Sequence, residues 1–96
     1  MHPRIEHIVQ TESGPRNVLQ GMYRGTKIEV VSGYDIAQDG WPFHVYMTPA
    51  SGQRARLFEP PSPYRSDTLS AAFDEGMAMA VQRLDRDVRG FQTKVR

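Results

Sequence analysis

Cysteine is missing from the chain altogether. That single absence removes disulfides, thiolate catalysis and cysteine-based zinc sites together. Long apolar runs are missing too, and none approaches the roughly 20 residues a membrane-spanning helix needs. The opening Met1-His2-Pro3-Arg4-Ile5-Glu6-His7 has no apolar stretch of the kind a secretory signal carries. A reducing, cytoplasmic setting with no membrane partner is therefore expected. Charge of one sign is also lacking: 12 Lys and Arg stand against 11 Asp and Glu, a net +1 that by itself selects no class of partner.

Histidine is scarce, with only His2, His7 and His44. No His-x-x-x-His spacing exists, so a metal site would have to be built from scattered carboxylates. There is no G-x-S-x-G elbow and no oxyanion element, and so short a chain leaves little room for a deep pocket. Gly21-Met22-Tyr23-Arg24-Gly25-Thr26-Lys27 has a superficial likeness to a phosphate loop. It is one residue short, reverses Thr and Lys, and leads into a strand where a helix N-terminus is required. The expectation is no catalytic residue, no cofactor, no metal, and a chain that is not an enzyme.

What is present suits one small soluble domain: 39% hydrophobic and 24% charged residues, with a mean hydropathy of −0.56. Residues 1–20 show no clean period. Ile5, Ile8 and Val9 fit one helical turn or a short edge strand, and Thr11 to Asn17 reads as turn and linker chemistry. This segment is expected to be loosely attached. A first strand is predicted over Tyr23 to Ser32, with Arg24-Gly25 as a bulge or break. Asp39-Gly40 marks a turn. In the second strand, Phe43, Val45 and Met47 alternate with His44, Tyr46 and Thr48. The third, Arg54 to Phe58, places Ala55 and Leu57 on one side and Arg54, Arg56 and Phe58 on the other. Pro60, Pro61 and Pro63 exclude helix and ladder pairing between Glu59 and Tyr64.

A long helix is predicted from Asp67 to about Val88, capped by Ser66 or Asp67 and ended by Gly90. Leu69, Ala72, Phe73, Gly76, Met77, Ala80, Val81, Leu84 and Val88 follow the i, i+3, i+4 spacing of one buried face. Within that face Ala72, Gly76 and Ala80 form a stripe of small residues that lets the helix lie close to the sheet. The fold class is thus α+β, a three-stranded antiparallel meander covered by one helix. The expected organisation is a loose segment over 1–20, a β-β-β-α domain over 21–90 and a basic tail over 91–96. Facing the helix are Ile28, Val30, Phe43, Val45, Met47, Ala55 and Leu57. So modest a core would gain from dimerisation through an edge strand or the open sheet face.

That open face is the candidate site: Lys27, His44, Tyr46, Arg54, Arg56 and Phe58. Aromatic rings beside arginines on a sheet suit a protein partner or a second copy. They also suit single-stranded nucleic acid, which stacks bases on rings and pairs phosphates with arginines. Pro60-Pro61-Ser62-Pro63-Tyr64-Arg65 fits the P-x-x-P-x-R ligand pattern of SH3 domains, and serves equally as a stiff spacer between sheet and helix.

Two resemblances accompany these residues. The run Tyr23-Arg24-Gly25-Thr26-Lys27-Ile28, the aromatic-rich second strand and the Ala72-to-Gly76 step resemble a family of small uncharacterised bacterial proteins with a β-β-β-α unit. That likeness implies the fold and brings no activity with it. The element order also resembles the sheet and final helix of double-stranded-RNA-binding domains. Here the last helix opens on Ser66-Asp67-Thr68-Leu69 where that family carries lysines, so double-stranded RNA is not carried over as a partner.

Overall fold

The computed structural model describes residues 5–57 and 64–95, and over 88–95 the backbone alone. Among the described residues six strands and one helix follow in chain order: β1 (Glu6–Glu12), β2 (Asn17–Tyr23), β3 (Thr26–Ser32), β4 (Trp41–Pro49), β5 (Ala55–Arg56), β6 (Tyr64–Ser66) and α1 (Leu69–Val95). All pair antiparallel, in the spatial order β1-β2-β3-β4-β5, and β6 joins the same edge of β4 as β5. The α+β class stands, with six strands in place of the expected three.

The difference begins at Arg24-Gly25. Both residues have positive φ (50° and 75°), the mirror-image turn that matches the right-handed twist of a tight hairpin. The expected first strand is therefore two strands, with Tyr23 paired to Thr26 across the turn. Arg24 is held there by its Nε, 3.0 Å from Asp85 Oδ1, and the Tyr23 hydroxyl donates to the same oxygen at 2.7 Å. The hairpin end is thereby tied to the helix.

Residues 5–20, expected to be loose, build the first two strands of the sheet. Between the pairs Glu6↔Met22 and Val9↔Gln20, β1 carries one more residue than β2, and His7 has a φ of 56°. The bulge turns both Ile5 and Ile8 toward the core, although three positions apart on a regular strand face opposite ways. Gly21 makes room for them: a Cβ there would sit 2.6 Å from Ile5 Cγ2. In the following turn the buried Asn17 side chain holds the chain together. Its Nδ2 donates to the Gly14 and Ser32 carbonyls, and its Oδ1 accepts from Gly14 N–H.

Three further expectations change at the other end. The third strand shrinks to Ala55–Arg56; Ala55 is exposed despite lying on the helix side, and Phe58 lies outside the described residues. Tyr64 does enter the ladder, opposite Phe43, with the two rings stacked at 5.4 Å. The P-x-x-P segment itself, 60–63, falls outside the described residues. The helix starts two residues late, with Thr68 Oγ1 accepting from Ala71 N–H as the cap. It continues through Gly90 to Val95, so Gly90 does not end it and residues 91–95 extend the helix.

The core is as the alternation implied. Ile28, Val30, Phe43, Val45 and Leu57 are buried beneath Ala72, Phe73, Met77 and Ala80, with Met47 partly buried beside them. Gly76 lies directly on the sheet: a Cβ there would fall 2.6 Å from Val30 Cγ1 and 2.8 Å from Val30 Cγ2. Val30 is fully buried and β-branched, so it has no rotamer into which to withdraw. Alanine at 76 gains about 1 kcal/mol in helix propensity, and the clash is expected to outweigh that gain. Gly76→Ala should lower the thermal midpoint and Gly76→Leu should lower it further. In a Val30→Ala background the penalty of Gly76→Ala should shrink by roughly 1 kcal/mol. An unchanged midpoint for Gly76→Leu contradicts the close packing.

Candidate functional site on the uncovered sheet face

Pairing register places the second face of the sheet in three rows. Residues opposite each other on neighbouring strands share a face. The first row runs Glu12, Val18, Val31, His44; the second Val9, Gln20, Glu29, Tyr46, Arg56; the third Glu6, Met22, Lys27, Thr48, with Arg54 beside Thr48. Because α1 occupies the other side, no described helix or strand lies over these rows.

Five of the six expected face residues are thus brought onto one surface: Lys27, His44, Tyr46, Arg54 and Arg56. The sixth, Phe58, lies outside the described residues. Arg54 is held by two contacts on this face. Its guanidinium carbon lies 3.8 Å from the centre of the Tyr46 ring, and its Nε is 3.0 Å from Glu29 Oε1. Glu29, Arg54 and Tyr46 therefore form a layered cluster, in which the arginine is stacked and charge-paired at once. At a half-exposed site each contact is worth up to about 1 kcal/mol. Arg56 stands opposite Tyr46 and near His44.

Six of these fourteen residues are invisible to a three-stranded reading. Glu6, Val9, Glu12, Val18, Gln20 and Met22 come from β1 and β2. Val9 is 50% exposed, whereas Val18 is buried. Glu12 also pairs with Arg16 at 2.6 Å across the β1–β2 turn. The one partial signal for them is Gly25, a turn former with a seven-residue strand on either side of the Arg24-Gly25 turn, and the bulky Arg24 beside it obscures that signal.

Elsewhere the surface offers less. A groove of about 340 Å³ between β6 and α1 has Phe43, Tyr64 and Met79 as its apolar lining and Arg65 and Glu75 among its polar lining. Ile36, at the tip of the β3–β4 loop, is 84% exposed. Among the described residues no three His, Asp or Glu side chains gather as a metal-ligand set. Comparison with known proteins adds nothing to the geometry. No family model, curated protein or solved structure matches this chain.

The titration of His44 is displaced by its place on the face. Its pKa is lowered, first by partial burial and then by the nearby Arg56 charge. The unfolded chain therefore takes up the proton first. The stability linked to this group is present above about pH 6.5 and is lost as pH falls through the folded-state pKa. An NMR titration should give His44 a midpoint below the ordinary histidine value. Arg56→Gln should move it only part of the way back, since burial is the larger cause. His44→Gln should flatten this part of the pH–stability curve.

Proposed function

We propose that the protein is a non-enzymatic interaction module that docks a protein partner, whether another protein or a second copy of itself, on its uncovered sheet face. The observation that carries this reading is the face itself: five strands wide, with Val9, Met22, Val31 and Tyr46 set among charged side chains. Aromatic and arginine side chains around a weakly polar centre are what protein interfaces favour.

The sheet edges suit docking less well. Antiparallel self-pairing of β1 about Val9 would set Glu6 opposite the partner's Glu12, like charge on like. Bulges interrupt the same strand at both ends, a familiar guard against edge pairing. The far edge is split between β5 and β6, of two and three residues.

Single-stranded nucleic acid suits the face less well than protein. Stacking a base on Tyr46 would first require Arg54 to leave the ring, and Arg54 is already neutralised by Glu29. Two experiments separate these readings. Amide NMR shifts should stay unchanged on adding mixed single-stranded oligonucleotides at low salt. Shifts at Lys27, Tyr46, Arg54 and Arg56 that fade with salt would overturn protein docking in favour of nucleic acid. In pull-downs from native extract, Tyr46→Ala with Val31→Glu should lose co-purifying proteins while the melting curve keeps its shape. Identical captures from wild type and variant would count against the face.

A further inference from the structure

The hairpin end between β3 and β4 carries a chemical liability that the fold itself requires. Asp39 has a φ of 51°, in the left-handed region that aspartate tolerates better than most residues. Gly40 follows it, and a Cβ there would lie 2.9 Å from Arg65 Cδ and 3.1 Å from Arg65 Cγ. Arg65 is seated by its Nη1, which donates to the Gln38 carbonyl at 2.8 Å. The turn thus favours aspartate at 39, and the packing of Arg65 demands glycine at 40.

That pair of residues, in that order, is open to a covalent rearrangement. The backbone nitrogen after an aspartic acid attacks the side-chain Cγ, and glycine, without a side chain, hinders the attack least. Here the Gly40 N–Asp39 Cγ bond forms, a Cγ–O bond breaks, and the acid's hydroxyl departs with the amide proton as water. The resulting succinimide then takes water back. Attack at Cγ restores aspartate; attack at the Asp39 main-chain carbon gives isoaspartate, with the chain running through Cβ and Cγ. Water is the only co-reactant, and the net change is an isomerisation.

We infer that Asp39-Gly40 is a site of this modification and that the Tyr34 hydroxyl holds it in check. The inference is independent of what docks on the sheet. Ring closure needs a carboxyl free to turn and a Gly40 peptide plane free to present its face. Both are tied down. Tyr34 donates to Asp39 Oδ1 at 2.6 Å, and its ring stands edge-on to Trp41 at 5.5 Å. The Tyr34 pKa is raised, first by that hydrogen bond, so the hydroxyl remains a donor well above neutral pH. Gly40 N–H donates to the Asp35 carbonyl at 3.3 Å, and Asp35 N–H donates to the Gly40 carbonyl at 2.9 Å. Asp35 is fixed in turn, its carboxylate accepting from Ala37 N–H and from Gln38 Nε2. Isoaspartate would insert one backbone atom beside Gly40, break this bridge, and release the loop that presents Ile36.

The test follows isoaspartate in protein aged at neutral pH and body temperature. The tryptic peptide spanning residues 28–54 is resolved by chromatography, and electron-transfer fragmentation locates the isomer at 35 or 39. Wild type unfolded in urea should convert at 39 at least about tenfold faster than folded wild type. Tyr34→Phe keeps the ring and removes only the hydroxyl. Folded, it should convert at least about threefold faster than wild type, the effect of losing one hydrogen bond to an exposed carboxylate. Gln38→Ala removes a bond to Asp35 and none to Asp39, and should stay within about twofold of wild type. Equal rates for folded and unfolded wild type overturn the inference, and this comparison holds even if Tyr34→Phe does not fold. A folded Tyr34→Phe that converts at the wild-type rate overturns it too. So does an equal rise in Gln38→Ala, or isoaspartate that forms at 35 and not at 39.

Discussion

The helix backbone rests on the middle of the sheet at Gly76, above the fully buried Val30, and the remaining architecture is arranged around that contact. One glycine allows an approach that any Cβ would prevent, and Ala72 and Ala80, both fully buried, extend it by a turn on either side. Larger helix residues then reach past the stripe to the flanks. Phe73 and Met77 join the same core as Tyr64 on one flank of the sheet and Ile5 on another. A second glycine, Gly21, performs the matching service within the sheet, where Ile5 lies over β2. Layer thickness is thus decided by two residues that have no side chain. That is why the core can be built from side chains as small as alanine and valine.

One helix covers one face, and the second face follows from that count. Its polar side chains satisfy one another in place: Arg54 lies on Tyr46 and pairs with Glu29. These contacts hold the face in a defined shape, and an ordered face loses less side-chain entropy on docking than a loose one. The edges are protected by bulges, by flanking glutamates and by short, divided strands. Interrupted, short edges and an open face leave the uncovered sheet surface as the larger continuous area of the described structure.

Legibility in the sequence tracked how regular each element is. Phe43 to Thr48 alternates without interruption, and Leu69 to Leu84 keeps a helical period, so their inward faces could be read directly. Ile5, Ile8 and Val9 show neither period because the bulge at His7 shifts the phase within a single strand. Arg24 hid the hairpin, since a bulky residue at positive φ is not an expected turn former, and its tie to Asp85 comes from a residue far along the chain. Thr68 displaced the expected caps by one or two positions, a shift that depends on where β6 releases the chain. Within the face, Lys27, His44, Tyr46, Arg54 and Arg56 were legible from alternation alone. Glu6 and Glu12 were not, because without β1 and β2 they belong to no surface.

By itself the sequence determined the α+β class, the inward sides of β3 and β4, the buried stripe of the helix, and the absence of thiol and disulfide chemistry. Each of these depends on local periodicity or composition, which near neighbours along the chain express in full. Tertiary structure alone decided the six-strand count, the Gly76-to-Val30 seat, the seating of Arg54 on the Tyr46 ring and against Glu29, and the joining of β1 and β2 side chains to the uncovered face. Those features pair residues far apart in the chain through register and twist. A register is chosen by the whole set of buried contacts at once, and no single segment carries it.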